Sequence, residues 1–132
     1  MSTPPTAIPS LADRVRHIAT ETPIVGLHFF GRAPVFVLGE EALLFAEDDR
    51  KVAVHGGGIL VSAADNTRIV TGGDDGKLMA TDVQGQTTEL AADDKKRWID
   101  QVALGHDRAV AWSAGKVAHV ITGKSEQRTF EA

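Results

Sequence analysis

Between Pro23 and Ala132 the chain never holds an apolar pattern for longer than a strand. Twelve short runs follow one another: IVGLHFF, APVFVL, ALLFA, KVAVH, GILVSAA, TRIVTG, KLMATD, TTELAA, IDQVALG, AVAWSA, VAHVIT and QRTFEA. Each is about 4–7 residues long, and Gly, Asp, Asn or Gly-Lys breaks separate them at the spacing of hairpin turns. Twelve such runs in roughly 110 residues leave no length for crossover helices. The strands must therefore pair antiparallel through hairpins, and the expected fold class is all-β.

Composition agrees and excludes several other classes. Thirteen glycines against no tyrosine and two methionines suit a turn-rich β protein. With 132 residues, 42 % of them apolar, the chain can bury a core as one domain. No apolar run approaches the ~18 residues of a spanning helix, so no membrane partner is expected. The opening MSTPPTAIPS has neither a basic region nor an apolar core, which argues against a signal peptide. There are no cysteines, so disulfides and thiolate metal sites are excluded; a reducing, cytoplasmic location fits. Fourteen basic against 18 acidic residues give a net charge of −4, spread along the chain, which makes no footprint for nucleic acid.

Residues 1–22 read as a proline-rich arm and one short helix. In SLADRVRHIAT, Ser10 can cap the helix with Asp13 three residues on, Leu11, Val15 and Ile18 share a face, and Pro23 stops it. The remainder, 23–132, aligns with itself at a period of about 40 residues. Asp65 falls on Asp107, Arg68 on Arg108, Lys77 on Lys116, Gly85 on Gly123 and Leu90 on Phe130, while Arg32 precedes Arg68 in a weaker first unit. Three units of four strands each, about 23–56, 57–95 and 96–132, make the pattern of β-propeller blades.

The middle unit resembles a WD-repeat blade. In IVTGGDDGKLMATD a strand ends in a small polar residue, turns through Asp-Gly and closes where the family has Trp-Asp. Carried over by position, Asp75 and Gly76 hold the tight turn, Thr71 or Gly73 is the small residue, and Thr81-Asp82 replaces the Trp-Asp pair. His55 lies near the family's Gly-His, here in the order His-Gly. No unit carries the Trp, so the family's His–Ser/Thr–Asp–Trp hydrogen-bond network is incomplete. The resemblance implies a structural turn set of Thr71, Asp75, Gly76 and Asp82, a propeller of about three blades, and binding of protein partners.

Other chemistry suggested by these residues does not survive spacing. GGDDGK has three residues between Gly72 and Gly76 where a phosphate loop needs four, and Leu78 stands where Ser or Thr would reach magnesium. A Ca²⁺ loop needs alternating carboxylates and a distal Glu, and both are absent. The stretch is a hairpin turn, expected as type I′ with Asp and Gly at positive φ. His55-Gly56-Gly57-Gly58 imitates an oxyanion-hole loop, but the chain has no Gly-x-Ser-x-Gly nucleophile. His17, His28, His55, His106 and His119 show no ligand spacing, and Asp48-Asp49, Asp74-Asp75 and Asp93-Asp94 fall at different points of the repeat. No metal, cofactor or catalytic constellation is expected, and the chain is not expected to be an enzyme. The first candidate for a partner patch is Lys95, Lys96, Arg97 and Trp98, because Arg and Trp favour interface hot spots. Packing of Trp98 between units is the simpler expectation, and Trp112 reads as core.

Three units fall short of the four to eight that close a propeller. The expected function is a non-enzymatic binding or scaffold module, completed by further blades or by another copy as a homo-oligomer. The alternative is a small-molecule-binding or hydrolytic propeller with its site in a central channel.

Overall fold

The computed structural model describes residues 17–122 and 127–131. The helix expected from Ser10 lies outside the described residues except for its last positions, and 17–20 carry no helix. Twelve strands follow: β1 (Ile24–Phe30), β2 (Ala33–Leu38), β3 (Ala42–Phe45), β4 (Arg50–Ala53), β5 (Ile59–Ala64), β6 (Arg68–Gly73), β7 (Lys77–Asp82), β8 (Thr87–Ala92), β9 (Ile99–Leu104), β10 (Val110–Ala114), β11 (Val117–Ile121) and β12 (Gln127–Glu131). A single 3-10 turn, His106–Arg108, interrupts them among the described residues.

The strands form three four-stranded sheets, each in sequence order: β1–β4, β5–β8 and β9–β12. All pairings are antiparallel. The all-β class and its four-stranded antiparallel units are thus what the run lengths demanded.

Alternation of side chains gives each sheet two faces, and the sheets meet in one consistent sense. One face of the first sheet carries the rows Val35–Phe45 and Val37–Leu43. These pack with Phe30 and Val54 against Ile59 and Ile69 of the second sheet. The opposite face of the second sheet carries Val70 and Leu78, which pack against Ile99, Val110, Trp112 and Ala114 of the third. We call the first kind of face trailing and its receiver leading. The middle sheet is consequently covered on both sides, and all six residues of β6 are buried.

Close approach explains one glycine on this path. A Cβ at Gly72 would lie 2.5 Å from the carbonyl oxygen of Ile99 and 2.6 Å from its Cγ2, so only glycine lets β6 and β9 come together there. The aligned arginines also meet across these two sheets, where Arg68 donates to the Arg108 carbonyl at 2.9 Å.

Candidate interaction surface

The hairpin between β6 and β7 is a three-residue loop, Asp74-Asp75-Gly76. The expected type I′ geometry does not hold: Gly76 has φ +75°, and Asp75 is not among the residues with positive φ. Gly76 N–H donates to the Gly73 carbonyl at 3.2 Å, the bond of a turn whose left-handed residue comes last. An ordinary right-handed bend leaves the Asp75 carboxylate free to fold back. It accepts the Lys77 N–H at 3.1 Å and the Gly56 N–H at 3.1 Å.

The same carboxylate meets His55, in the connection from β4 to β5. Asp75 Oδ1 lies 3.0 Å from His55 Nδ1, and His55 Nε2 lies 2.8 Å from Thr71 Oγ1 near the end of β6. With Nδ1–H donating to the carboxylate, Nε2 accepts the Thr71 hydroxyl proton. Burial pushes the Asp75 pKa up, but the hydrogen bonds from His55, Lys77 N and Gly56 N and the attraction of His55 outweigh it. The carboxyl therefore titrates below its ordinary range. The order Thr–His–Asp has the geometry of a nucleophile, base and acid. Yet the His55 side chain and Thr71 are both wholly buried, at 0 % exposure, so no substrate reaches Oγ1. What this network does is lock the β4–β5 connection onto the β6–β7 turn.

Of the turn residues named from sequence, Thr71, Asp75 and Gly76 come together here, joined by His55. Its reversed His-Gly order had obscured that role. Thr81 and Asp82 lie at the other end of β7. The Thr81 hydroxyl meets that of Thr87 at 3.1 Å, and Asp82 accepts the Gln84 and Gln86 amides at 3.0 and 2.9 Å to close the β7–β8 turn.

Against the same hairpin sits the β8–β9 connection, Asp93 to Trp98. The Gly76 carbonyl accepts the Asp93 N–H at 2.7 Å, and a Cβ on Gly76 would meet the Lys96 backbone at 2.7 Å. The Asp93 carboxylate accepts the Lys95 and Arg97 amides at 3.1 and 2.8 Å and clasps the Arg97 guanidinium at 2.9 Å. Chiefly through the hydrogen bond from Arg97, its pKa is held down at about 2. This clasp leaves the guanidinium paired and Lys95 and Lys96 exposed. Trp98, for which packing between units was the simpler expectation, is 61 % exposed. Trp112 is the buried one, and it stacks on His119 with ring centres 5.2 Å apart.

At the opposite end of the sheets, a cavity of about 610 Å³ opens beside Phe30, Phe45, Arg50 and Val83. The Arg50 guanidinium lies 4.4 Å above the Phe45 ring and donates to the Gln84 carbonyl. Among the described residues no three His, Asp or Glu side chains converge as metal ligands, and no helix is long and apolar enough to cross a membrane. No protein-family model matches the chain, and no curated protein matches its sequence.

Proposed function

We propose that the chain is a WD-repeat-like scaffold segment that works by binding a protein partner and not by catalysis. The exposed Trp98 indole carries this reading. It is a large apolar group on a connection that the Asp93–Arg97 clasp fixes, with Lys95 and Lys96 exposed on the same connection. A partner that buries the ring does not have to order the loop first, which keeps binding cost low. The propeller arrangement is supported by the trailing-on-leading succession of sheets, by contact of β1 with β5 and of β5 with β9, and by the His55–Thr71–Asp75 tie. In this arrangement three blades leave the ring open, for further blades or another copy to complete. The cysteine-free composition suits a cytoplasmic scaffold.

The test is affinity capture read by quantitative mass spectrometry. Trp98→Ala and the double change Lys95→Glu with Lys96→Glu both fall on exposed positions and should each deplete the same captured protein. A capture profile unaltered by either would contradict the reading.

A further inference from the structure

Both interfaces inside the chain place a trailing face on a leading face, so two faces remain without a sheet: the leading face of the first and the trailing face of the third. Strand register identifies them. On the first sheet, Leu27 pairs with Phe36, Phe36 with Leu44, and Leu44 with Lys51. Ile24, Leu27 and Phe29 of β1 on this face are 41, 65 and 64 % exposed, whereas Leu38, Ala42 and Leu44 of the neighbouring strands are buried, so the apolar exposure is confined to β1. On the third sheet, one row runs Ala103–Ala111–Val120–Arg128 and the next Gln101–Ser113–Ala118–Phe130. Near β9 and β10 this face is almost all small side chains.

We propose that these two faces belong together, so that the trailing face of one copy's third sheet packs on the leading face of a second copy's first sheet. This rests on the propeller arrangement proposed above and commits its completion to a second copy of this chain. The internal interfaces supply the pattern. Where β6 meets β9, the trailing side has glycine and the leading side has Ile99. Between copies, Ala103, Ala111 and Ser113 would likewise receive Leu27 and Phe29. For a ring built only from copies of these three sheets, the count selects the symmetry. Three sheets fall below the four to eight of a closed propeller and nine exceed it, whereas two copies give six. A two-fold axis through the ring makes both junctions at once, and each junction joins unlike surfaces.

Native mass spectrometry of two surface variants tests this. Leu27→Glu and Ala111→Glu each put a carboxylate into one side of the junction and should each abolish the dimer, with circular dichroism unchanged. Mixed in equal amounts with one variant isotopically labelled, they should form a mixed dimer, because its wild-type leading and trailing faces still meet at one junction. A dimer that survives Ala111→Glu and is lost only with Leu27→Glu means that like faces pair, and overturns the proposal. So does a monomeric wild type, or a ladder of trimers and larger species. Neither substitution touches the Asp93–Trp98 connection. Failure here and failure of the partner-binding reading are therefore separately visible.

Discussion

At the scale of single residues, the His55 side chain joins the Thr71 hydroxyl to the Asp75 carboxylate in a buried polar chain. Its buried hydroxyl has one partner, and removing it leaves an imidazole nitrogen without one. Thr71→Val should cost about 1–3 kcal/mol in urea denaturation, whereas Thr71→Ser, which keeps the hydroxyl, should cost less. Asp93 gives a second expectation. Its folded pKa of about 2 lies below the ordinary 3.8, so the unfolded chain takes up the proton first. The stabilisation is complete above pH 3.8 and is lost as pH falls toward 2. Carboxyl titration by NMR should place Asp93 near 2, and Arg97→Gln should return it toward 3.8. A titration unmoved by that change would mean that the guanidinium is not what holds the carboxylate. Sequence reasoning chose Asp75 and Thr71 from a turn pattern and missed His55 as their partner, because the three meet only when a loop from one sheet folds onto the hairpin of the next. It placed Trp112 in the core, where it is, and named Trp98 in a candidate partner patch while giving packing between units as the simpler expectation, because nothing local shows whether a ring that ends a connection is covered.

At the scale of elements, alternation and breakers made the strands legible, and antiparallel pairing followed from their spacing. The sense in which the sheets stack was not legible, because periodicity shows that two faces exist and not what each one covers. Gly72 is a case in point: in sequence it is one of a Gly-Gly pair before a turn, and in the structure it is the point where two sheets touch. Gly72→Ala should lower stability by about 1–3 kcal/mol through overpacking. Gly105→Ala, whose Cβ would meet only Ala109 at 3.5 Å, should be far milder in the same denaturation series. The junction of the first two sheets should respond to pH. His28 Nε2 lies 2.8 Å from Ser62 Oγ, and burial lowers the His28 pKa. The unfolded chain then binds this proton more readily, so the contribution is full above pH 6.5 and declines as pH falls below it. Denaturation midpoints should drop between about pH 8 and about pH 5, and His28→Gln should flatten that slope. An equal slope in the variant would assign it to other groups.

At the scale of the whole molecule, the repeat has a direction, and that direction produces two dissimilar open faces on one chain. The middle sheet shows what such faces do when covered, with β6 buried throughout. On the first sheet the corresponding face exposes Ile24, Leu27 and Phe29 along β1. The proposed association of unlike faces into a closed pair would remove both exposures in one step and leave the connection carrying Trp98 accessible. Light scattering on a sizing column, over a wide range of concentrations, tests this most directly. The account expects a stable species of twice the 14.0 kDa chain mass. A particle that stays at 14.0 kDa at every concentration would contradict it.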